Sequence, residues 1–304
     1  MPTHSTQALD VTAHVASSIV PAVLDVLGQR WSLALVQALL LQEKTFGQLL
    51  LALAIPRSTL AARLKHLLAM RCLEATAHGY RLSAAGQALL PVVSLAQAWN
   101  RGAAGQPPAP APLIHCCGNS LVPALVCKVC AEPILARDIH LDCPGAVPDL
   151  SHLPKPLRRA RAESSPGQWL GAAEILGDRW TALIVALGFY GVQRYSEIAR
   201  HLAIAPNILA DRLARLCDGG VLLRVAEQQS ERPRYRFSEA GLQLFPLIVA
   251  LIEWGDRWLR PATQAATCMR HLPCGHWLQP QLRCSSCGTA VTLQSLSASS
   301  LQAP

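Results

Sequence analysis

The sequence lacks any long apolar run and any leader-like N-terminus. Uninterrupted apolar stretches such as residues 33–36 fall far short of the roughly 18 residues that a membrane-spanning helix needs. The N-terminal residues also lack a cationic segment leading into an apolar run, which is the pattern of a secretory signal. We therefore expect a cytoplasmic protein that makes no use of a membrane.

Charge is also scarce, since only 15% of the 304 residues are charged, whereas 51% are hydrophobic. This composition excludes a disordered chain and provides core material for about two domains. The few charges are unbalanced, with 27 Lys and Arg against 19 Asp and Glu, so the net charge is +8. A positive excess on a lightly charged surface favours a polyanionic partner such as nucleic acid.

The chain contains an internal repeat. Val-Leu-Gly-Gln-Arg-Trp at 26–31 recurs as Ile-Leu-Gly-Asp-Arg-Trp at 175–180, a shift of 149 positions. The second copy then gains six residues before Tyr-Arg-Phe-Ser at 235–238, which matches Tyr-Arg-Leu-Ser at 80–83. After two more inserted residues a cysteine-rich element recurs as well. We predict winged-helix domains at 1–101 and 168–262, cysteine elements at 113–143 and 263–292, linkers at 102–112 and 144–167, and a disordered tail at 293–304.

Each copy has the apolar spacing of helices followed by a hairpin. In the first copy, apolar residues from Val20 to Leu39 predict a continuous helix, and Phe46 opens a short second one. A further helix is predicted to begin near Arg57 with Ser58 as its N-cap, ahead of a hairpin over 72–82. The fold class is therefore mainly α with small β wings: two winged helix-turn-helix domains, each followed by a small zinc-knuckle-like element.

Several motifs in both copies resemble those of the HxlR-type winged-helix regulators. They are Leu-Gly-x-Arg-Trp, Leu-x-x-Arg-Leu, Tyr-Arg-Leu/Phe-Ser-x-Ala-Gly and a final helix opening with Leu/Phe-Pro. The resemblance covers most of both repeats. It implies a bacterial transcription factor that binds double-stranded DNA, more often as a repressor than as an activator. Its members normally pair single-domain chains, so the tandem copies depart from the family and could form that pair within one chain. Whether two such chains form a homodimer stays open.

Because the second helix of a helix-turn-helix lies in the major groove, its N-terminal residues are candidates for base contacts. Basic residues further along it, and those of the longer second wing, are candidates for phosphate contacts. The predicted DNA-contacting residues are Arg57, Ser58, Thr59, Arg63, Lys65, His66, Asn207, Asp211, Arg212, Arg215, Arg232 and Arg234. Two alternatives remain open: Arg63 and Arg212 form structural salt bridges instead, or the first copy serves only as a pairing domain.

The second cysteine element has the spacing of a structural zinc site. His271-x2-Cys274-x9-Cys284-x2-Cys287 offers one nitrogen and three sulfurs, which suits tetrahedral zinc. His276 could replace His271.

The first element keeps three of these ligands, Cys117, Cys127 and Cys130, so a fourth must come from Cys116 or His115. Reduced surface thiols remain the alternative for both clusters. The scattered cysteines are expected to be buried apolar thiols; they are Cys72, Cys143, Cys217 and Cys268.

No catalytic zinc site is expected, because each element has four candidate ligands and no convincing carboxylate beside them. We therefore do not expect an enzyme. The competing interpretation is a protein-interaction module, since winged helices and zinc knuckles also bind proteins.

Overall fold

The structure is a computed structural model that describes residues 19–28, 30–102, 113–143, 171–227 and 230–298. The predicted linkers 102–112 and 144–167 lie outside these residues, except for Gly102. No helix in the described ranges is long and apolar enough to cross a membrane.

The first copy is a winged helix followed by three short strands. Its helices are α1 Val20–Leu27, α2 Arg30–Ala38, α3 Phe46–Leu53, α4 Arg57–Ala69, α5 Ala84–Gln87 and α6 Leu90–Gly102. The wing is β1 Leu73–Thr76 and β2 Gly79–Leu82, and the cysteine element holds β3 Leu113–His115, β4 Pro123–Cys127 and β5 Ile139–Cys143.

The second copy repeats this order. Its helices are α7 Ala172–Gly177, α8 Arg179–Phe189, α9 Tyr195–Leu202, α10 Pro206–Asp218, α11 Glu239–Leu242 and α12 Phe245–Trp258. The wing is β6 Leu222–Glu227 and β7 Ser230–Phe237, and the cysteine element holds β8 Cys268–His271, β9 Pro280–Cys284 and β10 Leu296–Ala298. The predicted fold class is confirmed.

Two local predictions in the first copy are wrong. The continuous first helix is broken at Gly28, where a Cβ atom would lie 2.2 Å from the carbonyl oxygen of Leu24 and 2.7 Å from that of Leu176 in the second copy. The break therefore lets the two copies approach closely. Pro56, with no capping side chain, is the N-cap of α4, so Ser58 lies inside the first turn.

The wings of the two copies differ in length. β1 and β2 pair over four residues around a tight turn at Ala77 and His78. Gly79 directly follows the turn with a φ of 137°, and its Cβ would lie 2.3 Å from the Lys44 carbonyl oxygen, so this position requires glycine. β6 and β7 pair from Leu222 opposite Phe237 to Glu227 opposite Ser230, with a register shift after Val225. The second hairpin therefore extends further from the domain.

Helices α1, α6, α7 and α12 join the copies into one continuous apolar core. Two hydrogen bonds at this contact are equivalent by the repeat. The indole nitrogen of Trp99 donates to the carbonyl oxygen of Ala240 at 2.7 Å, and that of Trp254 donates to the carbonyl oxygen of Ala85 at 2.8 Å. Trp99 is the repeat equivalent of Trp254, and Ala85 is that of Ala240. The copies therefore contact each other reciprocally, as in a twofold-related pair.

The cysteine elements are interlocked. Their three two-stranded sheets, β4 with β9, β5 with β8, and β3 with β10, each join one strand from each copy. In the central sheet Leu125 lies opposite Leu282, its own repeat equivalent. Residues 293–298, part of the tail predicted to be disordered, form a short 3-10 turn and strand β10, because β10 completes the sheet with β3.

Candidate nucleic-acid interface and metal centres

The turns that precede α4 and α10 are built alike. Ala54 and Ala203 end the preceding helices in the left-handed region, with φ of 49° and 47°. The residues that follow, Ile55 and Ile204, are buried and anchor each turn to the core. Both copies therefore present the second helix of a helix-turn-helix in the same local geometry.

Helix α4 buries one face and exposes a basic one. Leu60, Leu64 and Leu67 pack into the core, while Arg57 and Lys65 are exposed. Ser58 is also exposed and Thr59 is half-buried. The Arg57 guanidinium lies 5.2 Å from the Phe46 ring centroid, a cation–π contact that restricts its orientation. Ala61 and Ala62 are exposed between the basic residues, so this face is cationic and has only small side chains at its centre.

Helix α10 exposes a different set of side chains. Asn207 and Asp211 are exposed and Arg215 is half-buried. Arg212 forms ion pairs with Asp178, the N-cap of α8, and with Asp211. These ion pairs are the structural salt bridge that the sequence left open for Arg212 as an alternative to a DNA contact. Because the charge of Arg212 is paired, the outer face of α10 has no strong cationic character.

Arg63, the counterpart of Arg212, has a different environment. Its Nε and Nη1 atoms are buried and have no partner among the described residues. The position that corresponds to Asp178 is Gln29, which lies outside those residues. Burial lowers the pKa of Arg63.

His66 does not lie at the exposed face where a phosphate contact was expected. It is buried, and its Nε2 atom lies 3.1 Å from the carbonyl oxygen of Asp25 in α1. Burial lowers the pKa of His66, and the hydrogen bond to Asp25 opposes this only in part. His66 is therefore a core residue that connects α4 to α1, and it leaves the proposed DNA-contacting set.

The wings differ in charge. Glu74 and Arg81 lie directly opposite each other in the first wing and form an ion pair at 2.8 Å. The charges of these two side chains therefore cancel. In the second wing Arg224 and Arg236 are exposed, and Arg234 is half-buried. The side chain of Arg232 lies outside the described residues. The second wing therefore presents exposed arginines, whereas the arginine of the first wing is paired with Glu74.

The predicted metal ligands form two clusters, but each cluster combines both copies. Site A consists of His115, Cys117, Cys284 and Cys287, and site B consists of Cys127, Cys130, His271 and Cys274. In each site the ligand atoms lie within 4.8 Å of one another. The grouping within one element that we expected is therefore wrong: because the strands pair across copies, each site takes one pair of ligands from each copy.

The distances fit tetrahedral coordination. Zn–S bonds of about 2.3 Å and a Zn–N bond of about 2.0 Å at tetrahedral angles place nitrogen and sulfur about 3.5 Å apart. In site A, His115 Nδ1 lies 3.4 Å from the sulfurs of Cys117 and Cys287. In site B, His271 Nδ1 lies 3.4 Å from those of Cys130 and Cys274. Both sites could hold a metal ion through one nitrogen and three sulfurs.

Backbone N–H groups favour the thiolate at one cysteine of each site. Burial raises the pKa of Cys127, but hydrogen bonds from the backbone of Cys130 and Val129, together with those from the side chains of Cys130 and Cys274, bring the pKa below its usual value. At Cys284 burial likewise raises the pKa, but backbone and side-chain hydrogen bonds from Ser286 and Cys287 together lower it below its usual value. The thiolate is the form that binds metal.

The alternative ligands lie outside both clusters. Cys116 is an exposed thiol whose sulfur lies 3.6 Å from Nε2 and 3.8 Å from Nδ1 of His115, and it is not one of the four ligands grouped in site A. His276 is exposed and its Nδ1 lies 2.8 Å from the carbonyl oxygen of Cys274. Among the scattered cysteines, Cys72 is buried and free, Cys217 is half-buried and free, and Cys268 is disulfide-bonded rather than a buried thiol.

Two winged helices in reciprocal contact, joined by a pair of Cys/His clusters, define a tandem helix-turn-helix protein. The family model for the HxlR-like helix-turn-helix matches residues 26–106 and 175–263. The chain belongs to the HxlR-like helix-turn-helix family.

Three similar proteins extend this comparison. An uncharacterized HTH-type transcriptional regulator of Mycobacterium tuberculosis is 39% identical over 153 residues, which are 50% of this chain and 90% of that protein. One of Bacillus subtilis is 34% identical over 93 residues, covering 30% and 86% of the two chains. The crystal structure of PA1607, a transcription-factor candidate, is 30% identical over 42% of this chain and 92% of its own, with a TM-score of 0.38.

Proposed function

We propose that this protein is a sequence-specific DNA-binding transcriptional regulator, and that its two copies act as a pseudo-dimer within one chain. The observation that carries the proposal is the paired helix-turn-helix units, each with the N-terminal half of its second helix exposed. The names of the relatives as transcriptional regulators support the same function. Repression is the mode that the family resemblance favours.

The two copies are proposed to contribute different contacts. The first copy uses the basic face of α4, where Arg57 can contact a guanine edge and Lys65 a phosphate. The second copy uses Asn207, which can contact an adenine edge, and the basic wing with Arg224 and Arg236. An operator with two dissimilar half-sites follows from this asymmetry.

We also propose zinc as the metal of sites A and B, because three thiolates and one imidazole at tetrahedral spacing suit zinc. Four protein ligands leave no open position for a catalytic water, so the ions are structural. Elemental analysis of protein purified without added metal should find about two zinc ions per chain. One ion or none would contradict the assignment.

DNA binding is tested with fragments that flank the protein's own gene, at two salt concentrations. Arg57→Ala and Arg224→Ala should each weaken binding, and a variant that removes one phosphate interaction should have a slope of log K against log salt that is shallower by about 0.9. Arg137→Ala is the matched control, because Arg137 is 80% exposed but lies in the first cysteine element. The control should bind as the unaltered protein does.

Each outcome separates the alternatives. Weakening by Arg224→Ala but not by Arg57→Ala would reduce the first copy to a pairing domain. Equal weakening by Arg137→Ala would mean that only overall charge matters. An absence of salt-sensitive binding to any fragment would favour the protein-interaction function instead.

A further inference from the structure

We propose that sites A and B are clasps between the two copies, so that metal occupancy controls how the two winged helices act together on DNA. The inference rests on the proposed DNA-binding function and adds a mode of regulation to it. A zinc knuckle that stabilises only its own element would leave the pairing of the copies unchanged when the metal is removed.

The ligands of each site come from both copies. In site A, His115 and Cys117 come from the first copy and Cys284 and Cys287 from the second. Site B is the reciprocal arrangement. Each metal ion therefore closes a link between the copies, and removal of both ions opens two such links in the chain.

The cysteine elements have little strand pairing within one copy. All three sheets among the described strands of the elements join the copies. Within an element the described contacts between strand segments are isolated bridges, such as Val126 with Pro133 and its equivalent Arg283 with Ala290. An element without metal thus depends on its partner element, and the partner depends on it.

The two clasped elements contact the last helix of each winged-helix domain. Strand β4 packs against α6 and strand β9 against α12. Arg101 at the end of α6 donates to the carbonyl oxygen of Leu121 at 3.4 Å, and Asp256 in α12 accepts from the backbone N–H of Thr267 at 2.9 Å. Since α6 and α12 also carry the Trp99 and Trp254 contacts, the clasped elements hold the two helices that set the relative position of the copies.

The ligand grouping is tested first, by the metal content of paired variants. Cys117→Ser with Cys284→Ser removes two ligands of site A, so one zinc per chain should remain. Cys274→Ser with Cys284→Ser disrupts both sites, so none should remain. Grouping within one copy predicts the reverse result, and observing that reverse would overturn the proposal. Cys116→Ser, which alters the thiol beside Cys117, is the matched control and should retain both ions.

A second measurement needs no substitution and therefore does not depend on whether a variant folds. In protein loaded with cadmium-113, one metal resonance should couple to the β-protons of Cys117, Cys284 and Cys287. The other should couple to those of Cys127, Cys130 and Cys274. Couplings confined to cysteines of one copy would overturn the clasps.

The effect on DNA is measured with the full chain before and after zinc chelation, on an operator with both half-sites and on a fragment with one. Opening of the clasps should weaken operator binding about tenfold to a hundredfold and leave binding to the single half-site unchanged, because only simultaneous engagement depends on the pairing. Re-addition of zinc should restore it.

The other outcomes are distinct from one another. Unchanged operator binding after zinc removal would overturn the inference and leave the proposed function intact. An equal weakening on both fragments would also overturn it, since the metal would then support each DNA-binding unit separately. No binding to either fragment with zinc present would refute the proposed function, and with it the regulation of DNA binding.

Discussion

The substitution Trp254→Phe tests the reciprocal contact between the copies. Trp254 is 3% exposed, and its indole N–H donates to the carbonyl oxygen of Ala85 in the other copy at 2.8 Å. Phenylalanine cannot donate, so a buried carbonyl group is left without its partner at a cost of about 1–3 kcal/mol. Replacing the indole by a smaller ring also removes about 40 Å² of buried apolar surface, which adds about 1 kcal/mol. We expect the free energy of unfolding to fall by about 2–4 kcal/mol.

Urea unfolding followed by circular dichroism measures this change as a lower midpoint at an unchanged slope. Trp258→Phe is the matched control, because Trp258 lies on the same helix but is 36% exposed, and it should change the free energy by less than about 0.5 kcal/mol. Trp99→Phe should match Trp254→Phe, since Trp99 makes the equivalent bond to Ala240. Equal effects of Trp254→Phe and Trp258→Phe would refute the reciprocal contact.

Three further predictions concern local features of the fold. Gly255→Ala places a Cβ 2.4 Å from a Val23 methyl group in the other copy, so it should destabilise the protein by about 1–3 kcal/mol in thermal unfolding. Gly47→Ala is the control and should not destabilise it, because its Cβ would have no neighbour closer than 3.9 Å. Ser83→Ala removes the N-cap side chain that accepts a hydrogen bond from the backbone of α5, so it should lower the free energy of unfolding by about 1–2 kcal/mol. Ser58→Ala removes no cap and should change that free energy little. Equal destabilisation by the two substitutions would contradict the assignment of Ser83 as the cap. His66 has a lowered pKa because it is buried, so the unfolded chain takes up its proton first and stability should fall as the pH drops below about 6.5. His66→Gln should lessen that fall, measured as melting temperature against pH, and an unchanged pH dependence would exclude His66 as its source.

Some features of the protein are local properties of the chain, and others depend on packing between distant residues. The repeat, the winged helices and the choice of metal-binding residue types follow from the sequence, because apolar periodicity and ligand spacing are local. The burial of His66 was missed, since it lies one position from Lys65 on a helix whose inner face only the packing against α1 defines. The ion pair of Arg212 with Asp178 joins residues 34 positions apart and was only one of two alternatives.

The metal sites depend both on local properties of the chain and on packing between distant residues. Each copy carries one His/Cys pair and one Cys-x2-Cys pair, so grouping within a copy and grouping across copies use the same ligand types in the same number. Chain order alone favours neighbours in sequence. Only the tertiary structure assigns the pairs, because the pairing of β4 with β9 and of β5 with β8 brings distant ligands within bonding distance of one metal ion. The sequence by itself determined the ligand types and three cysteines of each element. The contact between the copies decided which ligands share a metal ion, and that His115 rather than Cys116 belongs to site A.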